Sequence, residues 1–311
     1  MEYRRLGNSG LRISEIGLGC NSFGMRTDEA SSVNIVQQAL ETGINFFDTA
    51  ELYGQGLSET YVGKALKGKR SEVIIATKTG HPVVTGPNVQ GGSRHYILKS
   101  LEASLKRLQT DYVDLFYIHF PDDRTPILET LRTMDNIVRS GKARYIACSN
   151  YAAWQLAEAM WTSKMHNLES FVVNQPRYNM LDRAVEAEII PCCRAYGVGI
   201  IPWGPLAGGF LTGKYRRGVP LPKDSRLETA TALYGVVATD ENYSRVEKLE
   251  AFAAERGHTI GELAIAWLLA NPVVSSVIPG AMSPEQVTAN AAGANWRLTA
   301  EEMAEIDKLL G

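Results

Sequence analysis

Residues 113–150, VDLFYIHFPDDRTPILETLRTMDNIVRSGKARYIACSN, hold one full period of the pattern that decides the fold. Val113 to Ile118 is a short, predominantly apolar run that stops at His119-Phe120-Pro121. Ile127, Leu131, Met134 and Val138 then recur at the i, i+3/i+4 spacing of an amphipathic helix. Arg144 to Ser149 is a second apolar run, stopped by Asn150. A strand apolar on both faces, a helix and another such strand are what a parallel sheet covered by helices requires.

The same reading extends in both directions. Upstream lie the runs Ile16 to Gly19, Ile44 to Phe47 and Val73 to Thr77; downstream lie Phe171 to Asn174, Val198 to Pro202 and Ser275 to Ile278. With helical stripes such as Leu101, Leu105 and Leu108 between them, eight strand-then-helix units in 311 residues imply an α/β chain closed into a (β/α)8 TIM barrel. Tyr3 to Leu6 and Leu11 to Ile13 flank Gly7-Asn8-Ser9-Gly10 and read as an N-terminal β-hairpin capping the bottom of that barrel. No linker or low-complexity tract interrupts the chain, so residues 1–311 are expected to form one barrel domain. The long irregular stretch from Trp203 to about Thr239, with its Pro-rich section Pro220 to Pro222, is of a length that is usually functional and reads as a lid or clamp.

Composition excludes several partners. The 45% hydrophobic content suits a large core, and 32 basic against 34 acidic residues, mixed along the chain, give a net charge of −2. Nucleic acid and anionic membranes are therefore not expected partners. MEYRRLGNSGLRIS contains no apolar core of signal-peptide length, and no apolar run is long enough to span a bilayer, so a cytoplasmic protein is expected. Cys20, Cys148, Cys192 and Cys193 show no CxxC spacing, which fits reduced thiols; Cys148, inside an apolar run, reads as core.

Common motifs fail. Gly17-Leu18-Gly19 lacks the third glycine of GxGxxG, and Gly63 to Lys69 has Arg70 where a phosphate loop needs Ser or Thr. Among His81, His95, His119, His166 and His258 there is no HxH or HExxH pair, so no metal site is expected.

Four polar residues instead fall at or just beyond strand ends that a barrel brings to one mouth: Asp48, Tyr53, Lys78 and His119. Each alone has an ordinary reading as a turn residue or surface side chain. Together they are the parts of a general acid of adjustable proton affinity. A tyrosine with a pKa near 10 gives up its proton to a developing alkoxide only with help. A lysine at about 4 Å, at an effective dielectric near 20, supplies roughly 4 kcal/mol, or about three powers of ten in acidity before desolvation is subtracted. Asp48 would hold the ammonium, and His119 would orient the carbonyl oxygen or relay a proton.

FDTAELYG, IIATK, DLFYIH, RYIACSN and IIPWGPLAGGFLTGKY, in this order, resemble the successive signatures of the aldo-keto reductase superfamily. The resemblance runs over nearly the whole chain. It implies a barrel that binds NADPH in extended form and reduces a small aldehyde or ketone, with Tyr53 as proton donor beside Asp48, Lys78 and His119. It further implies that Ser149, Asn150 and Gln175 bond the nicotinamide carboxamide, that Trp203 stacks on the ring where relatives more often have Tyr, and that Gly204, Pro205, Leu206, Gly208 and Gly209 fold across the pyrophosphate. Lys214 and Arg226 would pair with phosphates. VIPGAMSPEQVTAN resembles the adenosine site, with Gly280, Ser283, Gln286 and Asn290 in matching places. Met282 stands where relatives often carry Ser or Arg for the 2′-phosphate, and Ala289 replaces a Glu, so NADH is also expected to serve unless Arg226 alone grips the extra phosphate.

Substrate identity is not encoded in these motifs. Phe23, Met25, Tyr53 and Trp203 suggest an apolar pocket wall; Tyr151, Tyr178 or residues near Tyr234 read equally as extensions of it or as packing residues. Two other functional classes remain open at this stage. One is a cofactor-binding, redox-sensing regulatory subunit resembling the channel β-subunits of the superfamily, against which the lack of a segment before the barrel counts. The other is an unrelated barrel hydrolase with a metal between His119 and Asp48, which would show no response to a dinucleotide. Oligomeric state is not legible.

Overall fold

The computed structural model describes residues 1–82, 86–231 and 235–311. Its sheet is parallel and follows chain order. The strands are β3 (Leu18–Gly19), β4 (Phe46–Asp48), β5 (Ile74–Thr79), β6 (Val113–Ile118), β7 (Ala143–Ser149), β8 (Val173–Gln175) and β9 (Gly199–Ile200). The antiparallel hairpin of β1 (Tyr3–Arg5) and β2 (Arg12–Ser14) precedes them, with Tyr3 opposite Ser14 and Arg5 opposite Arg12.

The expected eighth strand, Ser275 to Ile278, is not a continuous strand. Its backbone nonetheless bonds to both edges of the sheet. Ser275 N–H donates to Ile200 O at 2.8 Å and Ile200 N–H to Val273 O at 2.9 Å on one side. On the other side Val277 N–H donates to Glu15 O at 2.9 Å, Gly17 N–H to Val277 O at 2.8 Å and Gly19 N–H to Pro279 O at 3.1 Å. Seven regular strands and this ladder of single bridges close the ring as a (β/α)8 barrel.

Helices cover the outside as the sequence periodicity requires. They include α1 (Glu29–Glu41), α2 (Leu57–Ala65), α3 (Arg94–Leu108), α4 (Ile127–Arg139), α5 (Ala153–His166) and α6 (Ile189–Tyr196). After the long loop come α7 (Arg226–Thr229), α8 (Asp240–Glu255), α9 (Ile260–Leu269), α10 (Pro284–Ala292) and α11 (Ala300–Leu310). Ser93 caps α3 and Thr259 caps α9, each hydroxyl accepting from the third helical N–H, and in α9 Glu262 reaches back to complete a capping box. The stretch that reads as a loop from Trp203 to Thr239 carries the short turns Ala207–Thr212 and Gly235–Val237 besides α7. Among the described residues no helix is long and apolar enough to cross a membrane.

Two apolar clusters divide the side chains by strand period. One lies between sheet and helices and takes Phe47, Ile75, Phe116, Ile118 and Cys148. The other fills the barrel: Phe46, Ala76, Leu115, Tyr117, Ala147, Val173, Ile201 and Ile278, closed from below by Leu6 and Ile13 of the hairpin. Because side chains alternate across a strand, every second residue of each strand points inward. Two residues beyond an inward-facing apolar side chain, at the C-terminal mouth, stand Asp48 (from Phe46), Lys78 (from Ala76), His119 (from Tyr117), Ser149 (from Ala147), Gln175 (from Val173), Trp203 (from Ile201) and Gly280 (from Ile278). One register thus assembles residues from seven separate segments at one mouth.

Candidate active site

β4 ends at Asp48, and the chain then turns sharply. Ser58 Oγ–H donates to Cys20 O at 2.8 Å and so accepts from Thr49 Oγ1–H at 2.7 Å, which pins the loop to the β3 side. Tyr53 opens a tight turn, Tyr53–Gly56, in which Gly54 has φ 57° and Gln55 φ 56°. A Cβ on Gly54 would stand 2.7 Å from Phe23 O, so only glycine lets the turn lie against the neighbouring loop. The turn leads into α2 and leaves Tyr53 beside Lys78.

Lys78 is fully buried. Its Nζ donates to Asp48 Oδ1, to Thr49 O at 2.9 Å and to Tyr53 Oη at 3.5 Å. β5 runs on to Thr79, so Lys78 lies within the strand, where the sequence reading put it just beyond. Burial acts to strip the lysine of its proton, but Asp48 and Tyr53 outweigh it and the ammonium holds its proton more tightly than an ordinary lysine. Asp48 Oδ2 in turn accepts from Gln175 Nε2 at 2.9 Å. A buried ion pair is costly unless its remaining lone pairs and protons are bonded, and here they are.

His119 follows β6 and is almost completely buried. Its Nδ1 has no hydrogen-bond partner. Burial first, then the Lys78 charge and His81, hold its pKa well below that of a free imidazole, so the ring is neutral. The Tyr53 and His119 rings meet edge to face with centroids 6.0 Å apart. Asn150, in a left-handed conformation at φ 61°, donates from Nδ2 to His119 O at 3.0 Å and to Ser149 Oγ at 3.1 Å, and accepts from Trp203 Nε1 at 2.9 Å. Ser149 Oγ–H donates to Gln175 O at 2.8 Å. Both ends of the Asn150 amide are thereby committed to holding His119 and the Trp203 ring.

Beside this cluster opens a cavity of about 1250 Å³. Asp48, Tyr53, His119, Asn150, Gln175 and Trp203 line it, as do Gly204, Pro205, Leu206, Gly208, Gly209, Lys214, Arg226, Gly280, Met282, Gln286, Ala289 and Asn290. Lys78, Ser149 and Ser283 do not reach its surface. Lys78 and Ser149 lie behind the wall, and Ser283 caps α10 by accepting from Gln286 N–H at 3.4 Å. Gly208 and Gly209 are left-handed, at φ 67° and 93°, and a Cβ on Gly209 would come 2.7 Å from Lys214 Cε. Arg226 donates to Asn21 Oδ1 at 2.7 Å, and Arg26 donates to Asp224 O, so the long loop is tied to the loop after β3. Gln286 Oε1 accepts from Met282 N–H at 2.9 Å and Asn290 Nδ2 donates to Gly280 O at 3.3 Å.

The expected apolar wall needs correction. Phe23 is fully buried in the core and is no part of the cavity; Met25 lines it, joined by Leu52, Leu57 and Phe120. Tyr151 and Tyr178 are packing residues, Tyr151 against Phe171 and Tyr178 against Trp267, with Tyr178 Oη donating to Glu186 at 2.8 Å. Tyr234 lies outside the described residues. The polar lining residues that the sequence reading did not assign to the site include Asn21, Arg26 and His81. Asn21 and Arg26 follow a strand end, and His81 follows the Gly80 turn after Lys78, which is the signal that would have found them. Cys20 also lines the cavity, but burial first and then Asp48 push its thiol far above the usual range, which leaves it unreactive. Among the described residues, no three His, Cys, Asp or Glu side chains are grouped to hold a metal.

Comparison with known proteins agrees with this geometry. The Aldo/keto reductase family model matches residues 15–310. A probable voltage-gated potassium channel subunit beta of Arabidopsis thaliana is 42% identical over 93% of this chain and 90% of its own length. An uncharacterized oxidoreductase of Bacillus subtilis is 40% identical over 92% and 89%. The L-glyceraldehyde 3-phosphate reductase of Escherichia coli K12 is 36% identical over 99% and 92%. On the extent of these matches, the chain belongs to the aldo/keto reductase family.

Proposed function

We propose that this protein is a single-domain, NADPH-dependent reductase of aldehydes or ketones, with NADH as an alternative cofactor and Tyr53 as the proton donor. The family supports an oxidoreductase acting on carbonyl compounds. The observation that carries the finer reading is the placement of a buried Lys78 ammonium between Asp48 and the Tyr53 hydroxyl, at the wall of a cavity large enough for a dinucleotide and a small substrate.

The cavity fits such a cofactor on three counts. The Trp203 ring is fixed through its Nε1 and offers a flat surface for stacking. Gly208 and Gly209 line the cavity in the left-handed conformation, and turns of this kind can present backbone N–H groups to a pyrophosphate. Lys214 and Arg226 bring positive charge to the same wall. Gln175 would bond the carboxamide, with Asn150 and Ser149 setting its position, and Gly280, Gln286 and Asn290, backed by the Ser283 cap, would hold the adenosine.

When bound, the dinucleotide supplies the hydrogen and electron pair that reach the carbonyl carbon. The protein's own residues handle the charge that appears on oxygen. Tyr53 Oη donates its proton to that oxygen, and the Lys78 ammonium stabilises the phenolate left behind. Asp48, Thr49 O and Gln175 keep the ammonium from turning away. Neutral His119 donates a hydrogen bond to the same oxygen, a bond that strengthens as negative charge grows.

The test is a titration of the purified protein with NADPH and with NADH, reading tryptophan quenching, followed by loss of nicotinamide absorbance on adding an aldehyde panel. Binding followed by multiple turnovers supports the proposal. Failure of both nucleotides to bind overturns it. A second reading, a redox-reporting regulatory subunit on the same dinucleotide site, draws on the name of the Arabidopsis relative; it predicts tight binding with at most a single slow turnover.

A further inference from the structure

Glu51 takes no part in the mechanism above, yet it stands just before Leu52 and Tyr53. Along the edge of β5 the chain after Asp48 prolongs the parallel ladder: Thr49 N–H donates to Ala76 O at 2.9 Å and Glu51 N–H to Lys78 O at 3.2 Å. The next rung falls at Gly80, but there the backbone has already turned towards Tyr53, whose N–H donates to Ala50 O at 3.1 Å. The Glu51 side chain fills that rung, Oε1 accepting from Gly80 N–H at 3.0 Å. The same oxygen accepts from Tyr96 Oη–H at 3.0 Å, and Oε2 accepts from Ser100 Oγ–H. Tyr96 and Ser100 share one face of α3 at i, i+4 spacing, and neither lines the cavity.

All three of these partners donate, which suits a carboxylate that has only lone pairs to offer. Burial raises the proton affinity of Glu51, and the bonds from Ser100, Tyr96 and Gly80 oppose that rise. Burial first, then the Glu51 charge, push the Tyr96 hydroxyl well above the usual phenol range, so Tyr96 keeps its proton and remains the donor. One carboxylate thus joins three parts of the fold: the turn that carries Tyr53, the end of the strand that carries Lys78, and α3. The Thr49–Ser58–Cys20 chain ties the turn to the β3 side, and Glu51 ties it to the β5 side. That second tie sets the spacing of Tyr53 from Lys78. At 3.5 Å their hydrogen bond is already long, and a small drift of the turn breaks it.

Resting on the reductase reading, we infer that Glu51 is a positioning residue that acts through Tyr53, its carboxylate clamping the Tyr53 turn to the end of β5 with Tyr96 and Ser100 as the fixed jaw on α3. Glu51 touches neither the cavity nor the reacting atoms. Its effect is on the rate of proton donation, with cofactor affinity unchanged, because the walls that would hold the dinucleotide lie elsewhere in the cavity.

The test follows nicotinamide absorbance in single turnovers of the NADPH-loaded protein with a panel of alkyl and aryl aldehydes, beside the Kd for NADPH from tryptophan quenching. Glu51→Ala is expected to slow turnover of the best aldehyde by about tenfold or more, since a displacement of about 1 Å can cost about 10²-fold, with the Kd unchanged. Glu51→Gln keeps one accepting oxygen and should recover part of the rate. Tyr96→Phe, which deletes one hydroxyl of the jaw, should lose a smaller part and serves should the alanine variant fold poorly. The deciding readout is the double variant. If Glu51 acts through Tyr53, adding Glu51→Ala to Tyr53→Phe costs little more, whereas a merely structural role lowers the rate by the same factor in both backgrounds and overturns the inference. Rates of Glu51→Ala and Tyr96→Phe within twofold of wild type overturn it as well and leave the reductase reading intact. No turnover by the NADPH-loaded wild type across the panel overturns the reductase reading and this role with it.

Discussion

The mouth of the barrel is built in two ways. On the β4 to β6 side the polar side chains are continuations of the inward-facing strand register, and they bond chiefly to one another: Asp48 to Lys78 and Gln175, Lys78 to Tyr53. On the side of the long loop the wall is made of turns, left-handed glycines and side chains that reach between loops, such as Arg226 to Asn21 and Arg26 to Asp224 O. In the first region Asp48, Lys78 and Gln175 are fixed by sheet geometry, and Tyr53 is held by the tight turn that follows β4. The second is held by a few exchangeable contacts that a ligand can replace. A rigid cluster suits proton transfer, which depends on placement to within a fraction of an ångström, and an adaptable wall suits admission and release of a long cofactor.

That division makes separable predictions. The largest effect is expected from Tyr53→Phe, which removes one oxygen from the rigid cluster. Turnover should fall by at least about 10²-fold, the low end of what general acid catalysis contributes, while cofactor quenching of tryptophan is retained. Turnover within a few-fold of wild type would remove Tyr53 from the chemistry and dissolve the contrast. Arg226→Leu should act in the opposite sense. If its guanidinium grips the 2′-phosphate in place of the side chain that Met282 does not supply, the Kd for NADPH should rise by about tenfold and that for NADH should change little, with kcat nearly constant. An equal loss for both nucleotides would assign Arg226 to the pyrophosphate or to the loop tie with Asn21.

The two regions were also unequally legible in the sequence. Strand periodicity found seven of the eight strands to within a few residues and placed Asp48, Lys78 and His119 at one mouth, because a period of two carries side-chain direction with it. It failed at Ser275 to Ile278, where an apolar run bonds on both sides through single bridges and never becomes a continuous strand. It failed again at Phe23, whose aromatic side chain next to a strand end looked like a pocket wall and is core. Nothing periodic distinguishes a loop side chain that turns in from one that turns out. For the same reason His81, three residues from Lys78 and beyond a glycine turn at φ 84°, drew attention only as a histidine without a metal partner. The loop wall became visible through resemblance to a family, and its contacts only through the fold.

The smallest expected effect tests whether the rigid cluster stays rigid when protonated. His119 has its pKa pressed well below the free value by burial, by Lys78 and by His81. In the unfolded chain it titrates near 6.5. Between those two values the unfolded state binds the proton and the folded state does not, so the native fold loses stability as pH falls through about 6.5 and holds it fully above. The loss from one such group is at most about 1.4 kcal/mol per pH unit. His81 titrates in the same direction, but it is half-buried and solvent screens its share. The contribution of His119 is therefore read as a difference: urea unfolding of the wild type and His119→Gln at pH 5.5 and 7.5. The wild type should lose more stability than the variant over that interval, by up to about one kcal/mol. An equal loss would mean that His119 takes up its proton in the folded state. The Lys78 ammonium would then have a second cation beside it, and the neutral donor invoked for the carbonyl oxygen would not exist.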